Sequence, residues 1–312
     1  MIEIQSLTKR FGPKTAVNGI SFRVGRGEVL GFLGPNGAGK STTMRMITGY
    51  VPPTSGSVRV GGIDITESPV AARKLLGYLP ENAPAYPDMT VAGFLGFIAE
   101  VRGFTGSEKR RKVQETIESC FLVEVHRQTI GSLSKGYKQR VCFAQSVLHD
   151  PPCLIMDEPT DGLDPNQKHI VRGMIRKMSE SKTIILSTHI LEEVDVVCNR
   201  VIVIDTGRII ADDTPHRLRA RSPAHGVIKL VLGGELESEV LRNLETLPGV
   251  RSMEFGSNGD ATEVALFPAD PLVSPVGTIT QFLCERKIPV KSLHVEDGRL
   301  EEVFRAITTQ RA

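Results

Sequence analysis

Gly34-Pro35-Asn36-Gly37-Ala38-Gly39-Lys40-Ser41-Thr42 is the stretch of this chain whose residue types and spacing most plainly do chemistry. It fits G-x-x-x-x-G-K-[ST], in which glycines let successive backbone N–H groups turn toward one point and form a nest for oxyanions. Lys40 is then placed to reach β- and γ-phosphates, and the Ser41 hydroxyl to ligate Mg²⁺. Asp157-Glu158 closes the apolar run Cys153-Leu154-Ile155-Met156 and is stopped by Pro159. Of two carboxylates at such a strand end, one can hold Mg²⁺ and the next can polarise an attacking water. His189, in Ser187-Thr188-His189, follows the next apolar run; a γ-phosphate contact and an ordinary buried histidine are both open to it. Phe11 likewise reads as a core aromatic or as a platform for a base. The loop alone implies a nucleoside triphosphate.

The elements that must position these groups follow from periodicity. Glu28–Leu33 reads as a buried strand before the loop, and Lys40–Thr48 as a helix ending at Gly49, its positive end toward the phosphates. Ile2, Ile4 and Leu7, then Ile20, Phe22 and Val24, alternate with polar residues as strands with one buried face do. Ser57–Val60, Leu75–Pro80, Cys153–Glu158, Thr183–Leu186 and Val201–Ile204 are expected strands, with helices over Asn166–Ser179 and Ile190–Val197. Strands apolar along their whole length imply a sheet covered on both faces. From Thr90 to Thr129 the spacing is helical instead, through Val91, Phe94, Leu95, Ile98 and Val101, then Val113, Ile117, Cys120 and Phe121. Leu133–Arg140 is expected to open a further helix that runs through Leu148. Beyond the Arg-rich Pro215–Pro223, the order β-α-β-β-α-β-α over Val227–Ile307 suggests a small α+β domain of ferredoxin-like kind, without a catalytic constellation.

Composition narrows the class. At 312 residues there is room for two domains, and a net charge of +2 implies no general attraction to nucleic acid. Cys120, Cys142, Cys153, Cys198 and Cys284 lie far apart with no C-x-x-C spacing, which points to a reducing cytoplasm rather than to metal ligands. No secretory pattern opens the chain. Uncharged runs such as Pro271–Cys284 fall short of the ~20 apolar residues that span a bilayer. His126, His149 and His169 are expected to be structurally ordinary.

Taken together, GPNGAGKST at 34–42, LSKGYKQR at 133–140, LIMDEPTDGLDP at 154–165 and STH at 187–189 make residues 1 to about 215 closely resemble the nucleotide-binding domain of ABC transporters. The resemblance implies an α/β P-loop NTPase cassette over 1–218, with a helical subdomain at about 88–150, a linker at 219–226 and an accessory domain at 227–312. It implies ATP and Mg²⁺ as ligands. Phe11 matches the aromatic that stacks on adenine, Asp157 the metal carboxylate, Glu158 the general base and His189 the switch histidine. Ser134 and Gly136 match the signature loop that closes over ATP held by the opposite subunit, and Asp164 the loop that crosses that interface. Glu81 falls where the family usually has a glutamine that senses Mg²⁺ and the γ-phosphate. The signature reads Leu-Ser-Lys-Gly-Tyr where LSGGQ is common.

Tyr78–Val91, Glu81 and the ending Gly298–Phe304 are similar to those of bacterial exporter-type ATPase subunits, the multidrug, sodium-efflux and gliding-motility groups. The chain is therefore expected to be cytoplasmic and peripheral on the inner face of the cell membrane, its partners a multi-helix membrane permease and a second cassette, in a homodimer or a mixed pair. Neither nucleic acid nor cargo is expected to bind directly. The alternative, a soluble ABC ATPase acting on nucleic acid or ribosomes, usually carries two cassettes or a long coiled coil, and neither occurs here. A nucleotide-binding regulator without turnover is disfavoured by the presence together of Lys40, Asp157, Glu158 and His189.

Overall fold

A computed structural model describes residues 1–81, 85–234, 236–258, 261–270 and 273–309. Positions 82–84, inside the Tyr78–Val91 stretch, and 271–272, at the start of the Pro271–Cys284 run, lie outside the described residues. The chain divides into two units, Met1–Asp213 and Thr214–Ala312.

The first unit opens on a long hairpin, β1 (Ile2–Phe11) and β2 (Lys14–Val24), followed by β3 (Val29–Leu33), α1 (Lys40–Ile47), β4 (Ser55–Val60), β5 (Ile63–Asp64), α2 (Pro69–Lys74) and β6 (Leu76–Leu79). Helices α3 (Val91–Val101), α4 (Gly106–Ser119) and α5 (Lys135–Val147) come next. The α/β pattern then resumes as β7 (Cys153–Asp157), α6 (Pro165–Ser179), β8 (Thr183–Thr188), α7 (Leu191–Val197), β9 (Arg200–Asp205) and β10 (Arg208–Asp213). The strands form an antiparallel sheet ordered β2-β1-β4-β5 and a six-stranded sheet ordered β10-β9-β3-β8-β7-β6. Neighbours in the larger sheet are parallel except β10 against β9.

Every residue of β3, β7 and β8 is buried, as strands covered on both faces must be. Helix α1 lies in the layer between the sheets. Its Met44 and Ile47 share one core with Ile2, Phe22 and Val58 of the antiparallel sheet and with Phe32, Ile155 and Ile185 of the parallel one. Burying such side chains contributes roughly 1.5–3 kcal/mol each, so the helix that follows the phosphate loop is anchored by its far end. In the helical stretch, the Thr90 hydroxyl caps α3 by accepting from Gly93 N at 3.1 Å. Val91, Phe94 and Leu95 turn inward there, while Val101 and Phe121 remain exposed.

The second unit begins earlier than the boundary expected at 218. Thr214 caps α8 (Pro215–Arg219) through its hydroxyl, and α8 packs on α11 (Leu300–Thr309). Residues 219–226 are not a free tether either: the Ser222 hydroxyl donates to Glu302, and Gly226 N donates to the Glu296 carbonyl at 2.8 Å. Between these come β11 (Ile228–Gly233), α9 (Ser238–Glu245), β12 (Val250–Asn258), β13 (Ala261–Pro268), α10 (Val276–Glu285) and β14 (Val290–Val295). Their sheet runs β12-β13-β11-β14 with every neighbouring pair antiparallel. Ile228, Leu230 and Leu232 form a core with Leu241 and Leu244 of α9 and Ile279 and Leu283 of α10, so both helices cover one face.

His149 is one of the histidines expected to be ordinary, and the structure explains why. Its Nε2 lies 2.9 Å from the Leu76 carbonyl, and burial, followed by the charge of Arg102, pushes its pKa from 6.5 down to about 4. The unfolded chain therefore takes up this proton more readily, and stability present above pH 6.5 is lost as pH falls toward 4. The melting temperature of His149→Gln should be flatter than that of the parent across that window, as measured by scanning calorimetry.

Candidate active site

The strand order brings three carboxyl ends side by side: β3 feeds the phosphate loop, β8 feeds His189, and β7 delivers Asp157 and Glu158. Leu33 is in register with Thr188, and Asp157 with Ser187. Ligands of open parallel sheets bind at this edge.

The loop closes around its own lysine. Lys40 Nζ donates to the Gly34 carbonyl at 2.7 Å and to that of Pro35 at 3.2 Å, with 6% of the residue exposed. The turn into α1 requires glycine at 39, where φ is 109° and an added Cβ would meet the Ala16 carbonyl oxygen at 2.5 Å. Ala38 is buried and its carbonyl accepts from Gly207 N at 2.9 Å, fastening the loop from beneath.

The carboxylates are buried beside that lysine. Asp157 is 1% exposed and accepts hydrogen bonds from the Ser41 hydroxyl at 3.2 Å and from the Ser187 hydroxyl. Glu158 has a left-handed backbone, φ 52°, which costs of order 1–3 kcal/mol for a non-glycine residue. Its backbone N–H donates to the Ser187 carbonyl at 3.0 Å, which holds the strained turn. Its Oε1 stands 4.0 Å from Lys40 Nζ, and its Oε2 2.9 Å from His189 Nδ1. With the carboxylate accepting, Nδ1 carries the hydrogen. Burial raises the Glu158 pKa, against the lowering effects of His189 and then Lys40. Burial lowers that of Lys40, against Glu158, Asp157 and Glu81 in that order. Each desolvated charge is thus held by its neighbours.

A cavity of about 490 Å³ opens over this cluster. Phe11, Asn36, Gly37, Gly39, Lys40, Ser41, Thr42, Glu81 and Glu158 line it. Gly34 and Pro35 take part through their carbonyls, and His189 through Glu158. Phe11 ends β1 half-exposed, with Lys9 Nζ 5.1 Å from its ring centre, so its face is a surface rather than core. Ser134 and Gly136 line no part of the cavity. They begin α5, where the exposed Ser134 caps the helix and a Cβ on Gly136 would overlap the Gln167 side chain at 2.2 Å. Asp164 caps α6, its side chain accepting from Gln167 N at 2.9 Å.

Sequence reasoning missed Lys14 and Ala16, which complete the cavity wall, and it gave Ser187 no role. Position was the available signal for Lys14: it lies just past the two-residue turn that follows Phe11. The Ser41 hydroxyl and the Asp157 carboxylate converge closely enough to share one cation. Two protein oxygens, completed by phosphate and water, are the donor set Mg²⁺ takes, so the residues fit that ion.

A phosphate loop, a paired carboxylate and a histidine on adjacent parallel strands define a P-loop nucleoside-triphosphatase site. A family profile described as ABC transporter matches residues 17–161. The linearmycin resistance ATP-binding protein LnrL of Bacillus subtilis is 33% identical over 312 residues, covering 99% of this chain and 98% of that one. The Nod factor export ATP-binding protein I of Ralstonia nicotianae is 33% identical over 310 residues, covering 99% and 94%. Of solved structures, an ATP-binding subunit of an ABC transporter superposes with a TM-score of 0.65 at 30% identity, covering 70% of this chain and 92% of that one. The chain belongs to the ABC transporter ATP-binding family.

Ser187 gives the site its first test. Ser187→Ala strips one donor from the buried Asp157 and should lower unfolding free energy by about 1–3 kcal/mol, read from the urea midpoint.

Proposed function

We propose that this ATP-binding subunit hydrolyses ATP to drive export through a separate multi-helix permease. What carries the reading is the 2.9 Å contact between Glu158 and His189 beside the buried Lys40. A carboxylate with a raised pKa, oriented by an imidazole and facing the phosphate-loop cavity, is suited to take a proton from water. Glu158 acts as the general base, and His189 holds it in place. Lys40 turns from the loop carbonyls to the β- and γ-phosphates, while Phe11 stacks on adenine. Ser41 and Asp157 would hold Mg²⁺, which supplies charge neutralisation to the phosphates when bound, and Glu81 stands at the same wall.

Ser134 and Gly136 serve the nucleotide of a second cassette, in a homodimer or a paired complex. Closure of the two cassettes moves the helical stretch against the permease. The names of the relatives, a resistance protein and an export protein, favour outward transport. Among the described residues no helix is long and apolar enough to cross a membrane. A peripheral place on the inner membrane face, with the pore in another chain, accords with this. The accessory unit, read as ferredoxin-like, takes no part in hydrolysis.

The decisive experiment is Glu158→Gln in the purified protein. It should bind ATP and dimerise, yet lose turnover; a variant that still hydrolyses ATP removes Glu158 from the role of base. Glu81→Gln is the control. It should keep ATPase activity within about tenfold, roughly 1.4 kcal/mol of barrier, whereas a larger loss would assign the carboxylate a specific duty.

A further inference from the structure

Glu193 lies in α7 and has 3% of its surface exposed, although nothing in the hydrolytic chemistry above uses it. A carboxylate so far from water is costly unless its oxygens are engaged. Each of its oxygens is engaged, one from the loop that follows β7 and one from the last residue of β8. Oε1 accepts from the hydroxyl of Thr160, two residues after Glu158. Oε2 accepts from the hydroxyl of Thr188 at 3.2 Å, immediately before His189. Both threonines are buried, and the Thr188 hydroxyl also accepts from Ile190 N at 3.0 Å, on the far side of His189. Arg172 of α6 approaches Oε1 at 3.8 Å and ties the same carboxylate to the helix beyond Asp164.

We propose that Glu193 is a positioning residue for ATP hydrolysis, a buried clamp that fixes the end of β7 against the end of β8 and so holds Glu158 in contact with His189. The inference rests on the reading of Glu158 as base and His189 as its partner. The two backbones are paired up to Asp157 and Ser187, and Glu158 N adds a last bond to the Ser187 carbonyl; Thr188 ends β8, and Thr160 and His189 lie past the strand ends. Glu193 bridges them one step further on, where the ladder can no longer do so. The Glu158–His189 contact then takes its spacing from a buried carboxylate as well as from the ladder behind it. Misplacement of a base by an ångström is enough to lose about a hundredfold in rate. A clamp of this kind acts on turnover and leaves nucleotide affinity, set by the phosphate loop, alone.

The test compares Glu193→Gln, Thr160→Val, their double variant and Thr160→Ser, each assayed for kcat and KM for ATP and, by calorimetry, for the Kd of ADP. Glu193→Gln and Thr160→Val should each lose about tenfold or more in kcat, with KM and the ADP Kd within about threefold of the parent. The double variant should be no slower than the slower single one, because both remove the same link. Thr160→Ser keeps the hydroxyl and should stay within about threefold of the parent in kcat. Parent-like kcat in Thr160→Val, losses that multiply in the double variant, or a KM effect without a kcat effect would each overturn the proposal. Should Glu193→Gln fail to fold, the two Thr160 variants decide by themselves. Glu158→Gln, assayed alongside, separates the two levels: if it is active, base and clamp both fall, and if it is inactive while Thr160→Val matches the parent, only the clamp does.

Discussion

One ammonium and two carboxylates are held almost out of water at the edge of a parallel sheet, and the site around them is built to make that tolerable. Lys40, Asp157 and Glu158 are each less than a tenth exposed. Moving any one of them from water alone would cost several kcal/mol, and the cost falls only if charges and hydrogen bonds are supplied together. Asp157 has two serine hydroxyls, Glu158 has an imidazole, and Lys40 has two carbonyls of its own loop. The lysine sits nearer those carbonyls than the Glu158 carboxylate, 2.7 Å against 4.0 Å. Its charge therefore shapes the loop first and balances the acid only at longer range, and a triphosphate competes for hydrogen bonds that already exist. Removing one member leaves the others buried and uncompensated, which couples folding to the residues around the cavity.

The sheet makes this gathering possible. Ser41 and Asp157 are separated by 116 positions yet share a hydrogen bond, because β3, β8 and β7 lie side by side and end at the same level. Asp157, the last residue of β7, is placed by the ladder behind it. The second layer adds depth. Packed between two sheets, α1 cannot shift along its axis without disturbing Met44 and Ile47, so the N–H groups at its start stay aimed at one point. The cavity wall then borrows Phe11, Lys14 and Ala16 from the antiparallel hairpin, a part of the fold with no role in positioning the carboxylates.

What could be read from residues alone follows a physical division. Fully buried parallel strands announce themselves as apolar runs, so β3, β7, β8 and β9 and the groups at their ends were legible, as was the family. The edge strand β10 and the connecting helix α2 were not. Strand β10 carries Arg208, Asp212 and Asp213 and pairs only with β9, Arg200 being bound bidentately by Asp212; its polarity looks like loop until the partner is known. Helix α2 buries only Ala72, too little to leave a periodic signature. Glu193 was invisible for the opposite reason. In Leu191-Glu192-Glu193-Val194 it reads as half of an acidic surface pair, and only the tertiary fold distinguishes the buried glutamate from its neighbour. A short helix followed by a linker was readable in Pro215–Pro223, but that the helix belongs to the second unit, where α8 packs on α11, was not.

Ser134 and Gly136 stand apart from the cavity, and their surroundings explain one of them better than the other. Ser134 and Gly136 stand at the start of a 13-residue helix, α5, where free N–H groups and the helix dipole favour an anion. Neither lines the cavity around Lys40, and the tight contact of Gly136 is with Gln167 of its own chain. Gly136 is thus explained by packing within the subunit. The exposed Ser134 keeps only a 3.4 Å capping bond from Tyr137 N for its hydroxyl, and that is weak by hydrogen-bond standards. The same helix start lies against Gln167, whose backbone N–H donates to the Asp164 cap of α6, so α5 and α6 begin side by side.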